Sequence, residues 1–143
     1  MHTIDHAKNS KNAENWAKAV MSGDLDAFDT LVTPNVVDHD AAPEQAAGGA
    51  AGFKAFFTML RSAFPDIKLS VEHTIAHENE IALAYTIEGT HRGTFAGIPA
   101  TGKRIKARGM QIGRYNGDGV MVERWGSSDE LGILKQIGAK IVA

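Results

Sequence analysis

The sequence predicts an α+β fold in which a curved antiparallel sheet wraps around N-terminal helices. Three observations carry this reading. Apolar residues recur at helical spacing through about residue 64, then switch to strict alternation. The two patterns are segregated along the chain, as in α+β domains. The third helical segment carries Phe53, Phe56, Phe57, Leu60 and Phe64, an apolar face broad enough to need a sheet against it.

The elements follow in order. Trp16, Ala17, Val20 and Met21 mark a helix from about Lys11 to Met21, ended by Ser22-Gly23-Asp24. Asp24 is placed to N-cap a second helix with Leu25, Phe28, Leu31 and Val32 as its stripe, and Thr33-Pro34 is placed to stop it. Asn35 to Asp40 reads as a short extended segment, and Ala41 to Gly49 as a small-residue loop. A third helix spans about Ala50 to Ala63. Strands then run from Ile67 to about His77, from Ile81 to Gly89, from about Lys103 to Tyr115 and from Gly119 to Ser127. Glu78-Asn79 and Asn116-Gly117-Asp118-Gly119 supply turns. A short helix over about Asp129 to Ile137 closes the chain. A curved sheet holding helices in its concavity leaves a pocket.

Composition narrows the function. At 143 residues the chain suits one domain, residues 1–143, and 43% apolar residues suffice for a core. A net charge of −2 offers no attraction to nucleic acid or membrane. Lys103, Arg104, Lys106 and Arg108 cluster without interleaved aromatics and read as a solvated strand face. Without cysteine there are no disulfides, no thiol catalysis and no cysteine-ligated metal. No apolar run approaches the roughly 20 residues of a membrane span. The polar N-terminus lacks a signal-peptide core, so the expected setting is the cytoplasm.

The candidate chemistry gathers near the C-terminus. Trp125 lies near the end of a strand, and Asp129 stands alone at the junction with the last helix. A carboxyl group there, beside Trp125 and Leu131, is placed to act as an acid or base, or simply to cap the helix. In Asp38-His39-Asp40, alternation turns His39 and the two aspartates to opposite faces, so one side points inward. An inward His39 would donate to a substrate carbonyl. His91 shares parity with Ile81, Leu83, Tyr85 and Ile87, which points it to the same cavity or gives it a structural role. Trp16, Phe53, Phe57, Phe64, Tyr85 and Trp125 are candidates to line a pocket for a flat substrate, and the polar tips of Tyr85 and Trp125 favour those two. Gln111 alternates with Gly109 and Gly113, which would leave room around it. Glu123 needs a partner such as Arg108 or Arg114 if it is buried. Asp38, Asp40, His39, His91 and Asp129 could converge as metal ligands, but no close ligand motif is present and no metal is expected. His2, His6, His73 and His77 read as surface residues.

Taken in order, Val37-Asp38-His39-Asp40, Phe64-Pro65-Asp66, Gly89-Thr90-His91-Arg92-Gly93, Phe95 to Gly102, and Glu123-Arg124-Trp125 with Asp129 and Gln136-Ile137-Gly138 resemble the SnoaL-like polyketide cyclase (ester cyclase) family. The resemblance covers about Trp16 to Gly138. It implies the nuclear-transport-factor-2-like fold, an α+β cone with a deep apolar cavity, and frequent homodimers. It also implies cofactor-free and metal-free intramolecular aldol condensation, as in closing the last ring of an anthracycline precursor. An aspartate acts there as acid/base, and Asp129 holds the matching place.

The expected function is therefore acid/base chemistry by Asp129 on a hydrophobic small-molecule carbonyl substrate. His39 and His91 would orient carbonyls, and Trp125, Tyr85, Gln111, Phe57 and Trp16 would hold the substrate. The fold also hosts isomerases, epoxide hydrolases and non-catalytic modules. Epoxide hydrolysis would need Asp129 and Glu123 facing inward with Arg108 or Arg114 between them. A cavity without the Asp129 carboxylate, or one filled by side chains, would favour a binding module.

Overall fold

The computed structural model describes residues 6–140. Helix α1 (His6–Ser22) is followed by a 3-10 turn (Leu25–Ala27), the short helix α2 (Phe28–Leu31) and strand β1 (Val32–Asp38). A second 3-10 turn (Pro43–Gln45) leads into helix α3 (Gly49–Ala63). Strands β2 (Lys68–His77), β3 (Glu80–Thr90), β4 (Arg104–Tyr115) and β5 (Met121–Ser128) follow, and helix α4 (Glu130–Gln136) comes last. The strands form one curved sheet in the order β1-β5-β4-β3-β2. The predicted α+β class therefore holds.

The differences from the sequence reading have local causes. Helix α1 starts before Lys11 because polar residues anchor its first turns. Asn12 is buried there, and its Nδ2 donates to the carbonyls of Leu31 and Gly119 at 2.9 and 3.0 Å. No apolar periodicity could signal that contact. Thr33-Pro34 does not lie outside the sheet but within β1, where an edge strand tolerates a proline. The sheet is not wholly antiparallel, since β1 runs parallel to β5 with Asp38 opposite Arg124. His2 lies outside the described residues.

The core sits between the helices and the concave sheet face. Trp16 packs edge-on to Phe28 and Phe53, with ring centroids 4.8 and 5.0 Å apart. Phe28 stacks on Phe57 at 5.4 Å. Strand β4 alternates strictly: Ile105, Ala107, Gly109, Gln111, Gly113 and Tyr115 are buried, and the residues between them are exposed. The exposed set includes Arg104, Lys106 and Arg108, a solvated outer face.

One irregularity decides which side chains meet the cavity. Tyr115 pairs with Met121, but Arg114 pairs with Glu123, so Val122 is an extra residue in β5. Such a bulge reverses which side chains face inward beyond it. Met121 points into the core, yet from Glu123 onward the even-numbered residues face the concave side.

Candidate functional site

A cavity of about 620 Å³ lies between the helices and the concave sheet face. Ala13, Trp16 and Ala17 of α1 and Phe56, Phe57, Met59 and Leu60 of α3 form one wall. Leu69, Val71, Leu83, Tyr85 and Ile87 of the sheet form much of the other. The exposed residues among the lining are Asp40, Ala41, Pro43, Glu44, Val71, Ala96, Ser127, Ser128 and Glu130. Three of them are acidic and none is basic.

The polar part of the wall is built around Arg124. Its side chain is only 16% exposed, and it lies opposite Asp38, which is 7% exposed. Nη1 donates to both carboxylate oxygens of Asp38, at 3.0 and 3.1 Å, while Nε donates to Gln111 Oε1 at 2.7 Å. Gln45 Nε2 donates to Asp38 at 2.9 Å, and Gln45 Oε1 accepts from the Ala42 amide. The Asp40 amide donates to Asp38 as well, and the Asp40 carboxylate accepts from the Gly126 amide at 2.8 Å. This network of hydrogen bonds holds a buried charge pair in one geometry.

Two tyrosines extend this polar strip. Tyr85 lies over Gly109 and Tyr115 lies over Gly113, so a side chain at either glycine would collide with a phenol. The glycines beside Gln111 thus make room for the rings. Burial pushes the Tyr85 phenol up from its ordinary value, and the nearby Arg124 charge opposes that. Burial pushes Tyr115 up to about 12. Both phenols stay protonated near neutral pH and can donate.

The site residues expected from sequence divide into two groups. Trp16, Phe57, Tyr85 and Gln111 line the cavity. Trp125, His39, His91 and Asp129 are not among its lining residues, and each placement has a physical reason. The β5 bulge turns Trp125 to the outer face, where His39 stacks on it at 4.8 Å and Arg114 lies 5.4 Å from its ring. His39 also contacts Glu123 at 2.7 Å, so in Asp38-His39-Asp40 the aspartates, not the histidine, face inward. Strand β3 ends at Thr90, so regular parity does not carry His91 into the cavity. His91 is fully buried, its Nδ1 2.9 Å from Thr101 Oγ1, against the Phe64 ring. Asp129 is exposed and caps α4, its Oδ1 accepting from the Gly132 amide at 2.9 Å.

The constellations built on those residues change accordingly. Glu123 does pair with Arg114, at 2.9 Å, but on the outer face. The set suggested for epoxide hydrolysis therefore does not converge in the cavity. Among the described residues no three His, Asp or Glu side chains gather as metal ligands. Nor is any described helix long and apolar enough to cross a membrane.

The sequence reading missed Arg124, Gln45 and Tyr115 as cavity groups, and Asp38 as the partner that holds Arg124 in place. A signal did exist. Arg124 and Gly126 share parity opposite Gly113 and Gln111, but only the bulge reveals that this parity faces inward.

A helical layer inside a curved five-stranded sheet, with an apolar cavity between them, defines the nuclear-transport-factor-2-like class. Within it, the family model for SnoaL-like polyketide cyclases matches residues 2–137, and the chain belongs to that family. TsrD from Streptomyces laurentii superposes with a TM-score of 0.86 at 25% identity, covering 96% of this chain and 100% of that one. IdmH from Streptomyces antibioticus, a proposed polyketide cyclase, gives 0.79 at 26% identity, with 92% and 99% covered. AclR from Streptomyces galilaeus, a proposed hydroxylase, gives 0.81 at 26%, with 94% and 98% covered. No curated protein matches the sequence.

Proposed function

We propose that this protein is a cofactor-independent enzyme that closes a ring in a hydrophobic carbonyl compound by intramolecular aldol chemistry. The observation that carries the reading is the cavity. Its volume suits a drug-sized ligand, its walls are mostly apolar, and its polar groups are few and fixed in position. Family membership and the role proposed for IdmH support the same reaction class.

The chemistry needs a base, a group that stabilises the enolate, and a cavity that holds the substrate folded. A carboxylate takes a proton from carbon beside a carbonyl. The C–H electron pair becomes the C=C bond, and the carbonyl oxygen takes the charge. The enolate carbon then bonds to a second carbonyl carbon, whose oxygen receives the proton. Asp129 is the proposed acid/base. Its neighbours Ser128 and Glu130 line the cavity, and its Oδ2 makes no hydrogen bond within the described residues. Asp40, in the cavity wall, is the carboxylate to compare with it.

A second reading is a non-catalytic binder of apolar ligands, favoured by the use of Asp129 as a helix cap. Incubation with hydrophobic polyketide esters and other dicarbonyl compounds, followed by product analysis, separates the two. Cyclised product that is lost in Asp129→Asn supports the enzyme. Tight binding of such compounds without turnover supports the binder.

We also propose a homodimer through the outer sheet face, which exposes Val37, Ile75, Met110 and Ile112. Sedimentation of Met110→Glu against the native chain tests this, with a monomeric variant expected.

A further inference from the structure

Two donors in the cavity wall have no partner among the described residues. Arg124 uses Nε and Nη1 on Gln111 and Asp38, while its Nη2 donates to no group among the described residues. The Tyr85 hydroxyl likewise makes no hydrogen bond among them. Both residues line the cavity. Neither atom is sealed from the cavity, so each is open to a ligand atom or water.

Both donors lie over glycines. Arg124 Nη2 sits where a side chain on Gly126 would stand, and Tyr85 Oη where one on Gly109 would stand. In the sheet register Gly109 faces Ser128 and Gln111 faces Gly126, so these two glycines are diagonal neighbours. Such positions are roughly 7–8 Å apart, within reach of a guanidinium and a phenol converging on one ligand.

Charge selects the ligand. Asp38 already balances Arg124, and Asp40, Glu44 and Glu130 make the mouth acidic. A permanently charged anion would meet repulsion on entry. A neutral molecule would not, and an oxygen that gains delocalised charge inside would find two donors waiting.

We propose that Arg124 Nη2 and Tyr85 Oη form a binding site for a delocalised oxyanion, the oxygen of an enolate or a phenolate. The inference rests on the aldol reading in that this oxygen would be the enolate oxygen of the first step. It narrows the substrate class to enolisable dicarbonyl compounds and phenol-bearing ring systems whose charge arises within the cavity.

Para-nitrophenol tests the site without any turnover, with para-nitroanisole as its neutral counterpart. The ratio of nitrophenolate to nitroanisole affinity is measured for native protein and variants, which cancels the effect of the acidic mouth. Tyr85→Phe is expected to lower that ratio about tenfold, as is loss of Arg124, with nitroanisole binding unchanged. Because Arg124→Met leaves Asp38 without its cation, Asp38→Asn/Arg124→Gln removes both charges together. A ratio that survives Tyr85→Phe and the double substitution overturns the proposal. A ratio that falls in a protein that cyclises nothing upholds the oxyanion site and removes the aldol reading. Turnover by a protein whose ratio is insensitive to both changes does the reverse.

Discussion

Arg124 Nη1 donates to both oxygens of Asp38 across the parallel β1–β5 pair, at 3.0 and 3.1 Å. This contact closes the sheet edge onto the cavity and, through Gln45, fixes the loop at its mouth. Breaking a buried pair by removing one partner costs about 3–5 kcal/mol. Asp38→Ala is expected to destabilise by that amount in urea unfolding. The double substitution Asp38→Asn/Arg124→Gln should cost clearly less than the sum of its single changes, because neither charge is then stranded. Additive losses would mean that the two residues do not act as a pair.

Gly109 gives a second test. A methyl group there would occupy the position of the Tyr85 ring, and the phenol would have to leave its place over the strand. Overpacking of this kind costs about 1–3 kcal/mol. Gly109→Ala should therefore lower stability and block ligand entry to the polar strip. Adding Tyr85→Ala should restore stability by freeing the space. If Gly109→Ala is neutral by itself, the close approach of ring and strand is not a constraint.

These relationships explain what the sequence could and could not disclose. Alternation in β3 and β4 placed Tyr85 and Gln111 on the buried face, because those strands keep an unbroken register with each other. The same reasoning failed at Trp125, because one extra residue at Val122 reverses the faces of β5, and at His39 alternation left open which side of Asp38-His39-Asp40 faces inward, with β1 itself irregular between Val32 and Val37. His91 was misplaced for a related reason. Its strand ends one residue earlier, and the amides of Arg92 and Gly93 turn to the Ala63 carbonyl at the end of α3. Elements with strong periodicity were legible. Contacts made by polar side chains across distant segments, such as Asn12 with Gly119 and Gln45 with Asp38, were not.

Acid should loosen the base of the β3–β4 pair. The Asp66 carboxylate accepts from the Thr90 amide and hydroxyl, both at 2.7 Å, with Arg104 3.2 Å away. The Thr90 amide foremost, then its hydroxyl, holds Asp66 below the ordinary 3.8. A carboxylate depressed on folding contributes stability that is present above its unfolded value and lost as pH falls through the folded one. Stability should therefore drop as pH goes below about 3.8. Asp66→Asn should flatten that limb in urea midpoints measured against pH. An unchanged acid limb would remove Asp66 from the account.

Asp129 is the position at which catalysis and stability can be separated cleanly. Its Oδ1 caps α4 through the Gly132 amide, and asparagine caps a helix about as well as aspartate. Asp129→Asn should therefore leave thermal unfolding nearly unchanged while removing this side chain's ability to take up a proton. General acid/base catalysis contributes about 100-fold to 10,000-fold, so cyclisation should fall by at least the lower figure. Asp40→Asn keeps an acceptor for the Gly126 amide and serves as the control at the mouth, with a smaller loss expected. Should Asp40→Asn abolish turnover and Asp129→Asn spare it, the proton passes through the carboxylate in the cavity wall, and Asp129 is a cap alone.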